Sequence, residues 1–260
     1  MALDRSISEV VDLISCAKRI VALSGAGIST ASGIPDFRSP ESGLWNKVSP
    51  YLVASIQGFR LRPKAFYNWL RPLAVKIREA QPNAAHMALA RLEEMGLLRV
   101  VITQNVDGLH QMAGSQRVLE LHGNSRRVTC VKCGMELSSK PFIERFIEDG
   151  KVPRCPGCKG VMKPNVVLFG ELLPVRTLLE AEAEAEACDL MLVVGSSLLI
   201  APASELPSST QRSGAKLVII NLQPTPVDTY ASVVIREDVV KALPRIVRAV
   251  AKRLSRSSGA

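Results

Sequence analysis

The segment Thr103-Gln104-Asn105-Val106-Asp107-Gly108-Leu109-His110 follows the apolar run Val100-Val101-Ile102. His122 lies a few residues further on, after Val118-Leu119-Glu120-Leu121. Two carboxamides, a carboxylate and a hydroxyl serve no purpose in burying a strand; they suit a ligand rich in hydroxyls and amides. A parallel strand would deliver them into a cleft at its C-terminal end. The nearby histidine can take up a proton near neutral pH, so proton abstraction is the chemistry that this cluster implies. His86 and His110, the other two histidines, fall in the first turn of a helix and just past the polar cluster, and both read as structural.

A second cluster begins where the apolar run Arg19-Ile20-Val21-Ala22-Leu23 meets Ser24-Gly25-Ala26-Gly27-Ile28-Ser29-Thr30. Gly-x-Gly directly after a strand lets backbone approach a phosphate, with amides aimed at its oxygens. The third glycine of the dinucleotide fingerprint falls on Thr30, and no second strand ends in an acidic residue about 20 positions later, so a plain strand-to-helix turn competes on equal terms. The following Ile34-Pro35-Asp36-Phe37-Arg38 tilts the balance. Arg38 can pair with a pyrophosphate and Phe37 can cover a flat ring.

Cys130-Val-Lys-Cys133 and Cys155-Pro-Gly-Cys158 are separated by 21 residues. Each pair aims two sulfurs at one point, and two pairs complete a tetrahedron around one zinc ion. Four thiolates leave no open position, so that zinc is structural. Disulfides or a redox motif are the alternative, disfavoured by the doubled motif and a reducing cytosol. Cys16 and Cys188 read as buried small hydrophobes.

These groups need elements to position them. Apolar runs at 20–23, 99–102, 118–121, 190–194, 217–220 and 233–235, several separated by helical patterns, predict an α/β fold with a parallel, doubly wound, Rossmann-like sheet. A helix is predicted after the cap Asn83, with Leu89 and Leu92 on its buried stripe and Gly96 as its stop. The Ala/Glu alternation from Ala181 to Ala187 also reads as helix, because both residues favour it. Pro244 is expected in the first turn of the last helix or interrupting it. Residues 40–81 read as a helical insertion and 124–164 as a smaller zinc-binding lobe. The remainder (1–39, 82–123 and 165–260) forms the large domain.

With 260 residues and 47% hydrophobic content, the chain can bury a sizeable core, on the order of 70–75% of its unfolded surface. Its formal charge is +9; four thiolates offset by one divalent ion lower this by two, to +7. Lys241, Arg245, Arg248, Lys252, Arg253 and Arg256 concentrate that charge near the C-terminus, where a solvated helix face with a frayed tail is preferred over a nucleic-acid surface. No stretch approaches the roughly 18–20 apolar residues of a membrane span, and the N-terminus is too polar for a secretory signal. A cytoplasmic, monomeric protein without membrane contact is expected.

Taken together, GAGIS, GIPDFR, TQNVDGLH, the histidine of LHG, the two CxxC pairs, KPNVVLFGE, GSSL and NLQPTP resemble, in order, the motifs of sirtuins, the NAD-dependent protein-lysine deacylases. The resemblance spans about residues 13–250. It implies a cleft between a Rossmann-like domain and a zinc-bearing lobe, in which the acyl oxygen of a modified lysine attacks the nicotinamide ribose of NAD. The products would be lysine, nicotinamide and O-acyl-ADP-ribose.

By the same resemblance Gly25, Ala26, Gly27 and Arg38 would hold phosphates, with Ile34 and Phe37 lining the NAD site. Gln104 and Asn105 would position the ribose, and Asp107 with the Val106 backbone would receive the carboxamide. Gly195, Ser196 and Ser197 would bind phosphate or the adenosine ribose, Asn221 the adenosine ribose, and Val239 the adenine. His122 would be the general base, with Asn105 beside it in catalysis. Val167, Phe169, Gly170, Glu171 and Leu199 would hold an acetylated-lysine protein as an added extended strand. The basic charge would favour DNA-associated proteins among its partners.

Succinyl-preferring members carry Tyr-x-x-Arg in the helical insertion. Here Leu70 stands at the arginine's place after Tyr67, and Arg71 is turned about 100° around a helix. Neutral acyl groups, acetyl first, are therefore expected. Protein mono-ADP-ribosyl transfer and broader lysine deacylation are the enzymatic alternatives. A DNA-binding module built on the zinc lobe and basic tail leaves both polar clusters unexplained.

Overall fold

The computed structural model describes residues 2–36 and 49–257. A six-stranded, wholly parallel sheet forms the centre: β1 (Ile20–Ser24), β2 (Leu98–Thr103), β3 (Val118–Glu120), β7 (Leu190–Val194), β8 (Lys216–Ile220) and β9 (Val233–Ile235). Its order is β3-β2-β1-β7-β8-β9, so the chain winds outward one way from β1 and the other way from β7. The apolar runs became strands because both sheet faces are covered. All five side chains of β7 are buried, each contributing roughly 1.5–3 kcal/mol.

On one face pack α1 (Ala2–Cys16), α5 (Ala84–Glu94) and α10 (Val239–Ser257). On the other pack α8 (Val175–Ala187) and α9 (Leu206–Arg212). Asn83 caps α5 by accepting from the Ala85 amide, Leu89 and Leu92 are buried, and Gly96 adopts φ +73 just past the helix end. Pro244 neither starts nor breaks α10. It sits at the sixth helical position, where the packing of Ala242, Leu243, Ile246 and Val247 outweighs one forfeited backbone bond. Among the described residues, no helix is long and apolar enough to cross a membrane.

The helical insertion contains α2 (Pro50–Val53), α3 (Ile56–Leu61) and α4 (Pro63–Glu79). Past β3, the short α6 (Leu109–Met112) having intervened, comes an antiparallel sheet of β4 (Gly123–Cys130), β5 (Glu136–Ser138) and β6 (Met162–Val166), with α7 (Lys140–Asp149) alongside. The two insertions share one core: Phe59, Phe66 and Tyr67 meet Phe146 and Leu168. The Tyr67 hydroxyl donates to the Met162 carbonyl, and Arg71 donates to the carbonyls of Ile147 and Glu148. Arg71 is therefore engaged in joining the insertion to α7.

Cys188 is buried as expected, but Cys16 is exposed. The buried stripe of α1 runs through Ile7, Val10, Val11 and Ile14, and Cys16 lies about 200° around the helix from the last of these.

At the N-terminal edge of the sheet, Glu184 of α8 is a buried carboxylate held by Arg19, Arg99 and Arg117 at 2.6–2.9 Å. Burial opposes its charge, but the three arginine contacts win and bring its pKa down to about 2. The resulting stability is complete above the usual glutamate range near pH 4.5 and is lost as pH falls toward 2. Glu184→Gln should cost on the order of 3 kcal/mol at neutral pH, since one partner of a buried network is removed. Thermal melts should then show less acid-induced destabilisation between pH 5 and 2 than in the parent; equal pH dependence would refute this role.

Candidate functional site

The strand order reverses between β1 and β7, which stay paired to their last residues, and the first glycine cluster lies at their C-terminal ends. Gly25 N–H donates to the Val194 carbonyl at 3.2 Å and Gly27 N–H to the Gly195 carbonyl at 2.8 Å. A Cβ on Gly25 or Gly27 would lie 2.8 Å from the Gly195 oxygen, and one on Gly195 (φ +60) 2.4 Å from the Ile28 nitrogen. The sequence reading assigned these glycines to phosphate approach; their demonstrable requirement is close contact between two backbone segments. Ala26 lies between them at the start of a 3-10 turn.

Behind these loops lies a connected mesh of polar side chains. Ser24 Oγ donates to Thr103 Oγ1 at 2.8 Å and sits 2.8 Å from His110 Nε2. Asn105 Nδ2 donates to the Gly25 carbonyl and to Ser29 Oγ, both at 3.1 Å, and Ser29 Oγ donates to Asp107 Oδ2 at 2.8 Å. The Leu109 amide donates to Asp107 Oδ1 at 2.9 Å. Burial raises the Asp107 carboxyl pKa, opposed by the Leu109 amide and the Ser29 hydroxyl. A further donor such as a primary amide would relieve that desolvation.

His86 and His110 are buried with their rings 5.0 Å apart. Burial pulls His86 down to about 4; burial and the neighbouring His86 pull His110 down to about 3. Both are neutral at pH 7. His86 Nδ1 accepts from the Asn83 amide, completing the cap of α5. Its proton therefore sits on Nε2, 3.5 Å from Ser29 Oγ. Ser29, Ser24 and His86 carry no role in the sequence reading. The only signal was their position inside or beside the motifs, and the mesh partners of Ser24 and Ser29 lie 57 to 86 residues away.

His122 lies at the end of β3, half-buried, with Nδ1 2.9 Å from the Gln104 carbonyl oxygen. A carbonyl only accepts, so Nδ1 carries the ring proton and Nε2 holds the basic lone pair. Gln104 Nε2 donates to Ser196 Oγ at 2.8 Å, linking β2 to the loop after β7. Gly123 follows His122 at φ +71, where a Cβ would lie 2.0 Å from the Asn165 oxygen. Only glycine lets β4 close onto β6 there. Val106 receives the Ser125 amide and hydroxyl on its carbonyl.

The remaining predicted contacts divide. Ser196 is buried and Ser197 half-buried after Gly195, and Asn221 is held at the end of β8 by donating to the Gln223 carbonyl at 2.7 Å. The Val239 side chain packs in the core under β8 and β9, and that of Ile34 joins Ala80 and Leu109 in a small apolar cluster. Phe37 and Arg38 lie outside the described residues. In the segment after β6, the Val167 amide donates to the His122 carbonyl, and Phe169 pairs with Ala54 and Ile56 through both backbone groups. Gly170 is exposed at φ +87, Glu171 accepts from the Leu168 amide, and Leu199 is exposed on the loop after β7.

Cys130, Cys133, Cys155 and Cys158 place their sulfurs within 4.8 Å of one another, with pairs at 3.4 and 3.8 Å. A tetrahedron with metal–sulfur bonds of about 2.3 Å has edges of about 3.8 Å, so the cluster fits one structural zinc ion. The Cys133 amide lowers the Cys130 thiol to about 6, and the Cys158 amide lowers that of Cys155. The donor set at the switch point likewise fits a dinucleotide: hydroxyls, carboxamides and one carboxylate at the ends of parallel strands.

The chain belongs to the Sir2 family, whose profile matches residues 25–202. It is 47% identical over 253 residues to NAD-dependent protein deacylase 2 of Archaeoglobus fulgidus, covering 97% of this chain and 98% of that protein. It is 46% identical over 258 residues to the NAD-dependent protein deacetylase of Sulfolobus acidocaldarius, covering 99% and 100%. A solved structure of a Sir2 histidine-to-alanine variant, with a deacetylated p53 peptide and 3′-O-acetyl ADP ribose, superposes at a TM-score of 0.89, with 44% identity and coverage of 94% and 98%.

Purified protein should contain one zinc per chain by elemental analysis. Cys155→Ser should lose it and unfold the small lobe. Full zinc retention in that variant would exclude the four-sulfur site.

Proposed function

We propose that this chain removes acetyl groups from protein lysine side chains, consuming NAD and yielding nicotinamide and O-acetyl-ADP-ribose. The observation that carries the reading is the fixed tautomer of His122 beside the Asn105–Ser29–Asp107 mesh at the switch point. It is supported by family membership and by the activities named for its relatives. NAD supplies an anomeric carbon that can accept the acyl oxygen as nicotinamide departs.

The chain's own groups do the positioning. Asn105, its amide already committed to Gly25 and Ser29, offers its side-chain oxygen to a ribose hydroxyl. Gln104, held to Ser196, sets the distance between the two ends of the site. Asp107, with the Val106 backbone, receives the carboxamide of nicotinamide. Gly25, Ala26 and Gly27 face the phosphates, with Ile34 nearby; Arg38 and Phe37, outside the described residues, are assigned to the same site by motif alone; Gly195, Ser196, Ser197, Asn221 and the start of α10 at Val239 serve the adenosine half. His122 Nε2 removes the proton of a ribose hydroxyl. Alignment of weak nucleophile and electrophile can supply roughly 7–11 kcal/mol of the barrier reduction.

The substrate is an extended protein segment seated along Val167, Phe169, Gly170 and Glu171 on one side and Leu199 on the other. Leu70 offers no charge to an acyl carboxylate, and the guanidinium of Arg71 is engaged by α7. Acetyl is therefore preferred over succinyl.

Mass spectrometry of an acetylated peptide incubated with NAD should detect O-acetyl-ADP-ribose, and His122→Ala should abolish it while leaving the thermal melt unchanged. Nicotinamide release that is indifferent to the peptide would favour ADP-ribosyl transfer instead. Acetyl-lysine peptide should be turned over on the order of tenfold or more faster than succinyl-lysine peptide, for want of a paired carboxylate; faster desuccinylation would contradict the acyl assignment.

A further inference from the structure

We propose that Lys163 is a positioning residue for the acyl-peptide substrate, its half-buried ammonium holding the segment 166–171 in register with His122. This rests on the proposed function and concerns a side chain with no role assigned above. Lys163 lies in β6, and its side chain is only 14% exposed. Its Nζ donates to the Val166 carbonyl at 2.8 Å, to the Pro164 carbonyl at 3.2 Å and to Glu171 Oε2 at 2.9 Å. Three donors meet three acceptors, so the half-buried charge is satisfied where it stands.

Glu171 Oε2 also accepts the Leu168 amide at 2.8 Å, and the Glu171 amide donates to the Leu168 carbonyl at 2.9 Å. The lysine and this carboxylate therefore close the turn 168–171 from within. The same segment is bound to the base: the Val167 amide donates to the His122 carbonyl at 2.8 Å. A continuous path runs from Lys163 through Val166 and Val167 to His122. Phe169 is fixed to Ala54 and Ile56 on its other side.

Without the ammonium, the Glu171 carboxylate and the two carbonyls would be left close together with no cation between them, and their mutual repulsion would open the turn. The peptide edge at Gly170 would shift, and the tether on His122 with it. Among the described residues, the side-chain bonds of Lys163 and Glu171 stay within 163–171, so the disturbance should fall on peptide seating rather than on NAD affinity.

The test is steady-state kinetics of Lys163→Met and Lys163→Arg with an acetyl-lysine peptide, together with NAD affinity measured without peptide, zinc content and thermal melts. Lys163→Met should raise the peptide KM on the order of tenfold or more, as expected for displacement of a positioning segment. NAD affinity and zinc content should stay at parent levels. Lys163→Arg keeps the charge and should recover most of the peptide KM. A Lys163→Met enzyme with the parent's peptide KM would overturn the proposal. So would parallel loss of peptide binding, NAD affinity and zinc, which would mark general destabilisation, or an arginine variant no better than methionine. If Lys163→Met fails to fold, Glu171→Gln carries the same test, with a smaller rise in peptide KM expected and an unchanged KM overturning the idea. Failure of the parent protein to form O-acetyl-ADP-ribose would instead remove the proposed function.

Discussion

The approach of Gly25 and Gly27 to Gly195 is the constraint on which the site depends. At 2.4–2.9 Å from a hypothetical Cβ to the facing backbone, no side chain is tolerated at these three positions. Because β1 and β7 are adjacent and parallel, their C-terminal loops would otherwise splay at the reversal of strand order. The Gly27–Gly195 bond joins them, and the Gly195 amide donates to the Ile220 carbonyl, fixing the end of β8 as well. Three strand ends thereby become one rigid floor, and a ligand laid across it meets backbone that does not have to reorganise.

Behind the floor, polarity is stored without mobile charge. Serines 24 and 29, Thr103, Asn105 and two neutral histidines interlock through hydrogen bonds. Depressed histidine pKa values keep that mesh unchanged across the physiological range. Oriented dipoles in a dry site act more strongly than the same groups in water. Asp107 is the formal charge in this mesh, and its two oxygens are already aimed by the Leu109 amide and the Ser29 hydroxyl.

The small lobe contributes in a different way. Its four sulfurs join the end of β4 to the loop that precedes β6, while its shared aromatic core binds the helical insertion to α7. Leu168 belongs to that core although it lies in the segment proposed to seat the peptide. Packing in the lobe thus sets where that segment runs, and the Val167–His122 bond passes its position to the large domain.

Much of this was legible in the chain itself. Apolar runs flanked by helix signals became six parallel strands because burial on both faces demands unbroken hydrophobicity, and paired CxxC motifs converged because each knuckle constrains its own sulfurs. His122 and the Gln-Asn-x-Asp cluster stood out because such groups have no use in a merely buried strand. What only the tertiary structure decided depends on partners distant in sequence. Glu184 looked like one of several glutamates on a helix, yet it is a buried anion among three arginines drawn from three strand starts. The glycines answer to each other across 170 residues. Ser29 acquired its partners, Asn105, Asp107 and His86, from segments that no local pattern announces. Side-chain type and spacing determine what an element can bury or bind; which charge neutralises which, and which backbone touches which, is settled only when the folded chain brings remote segments together.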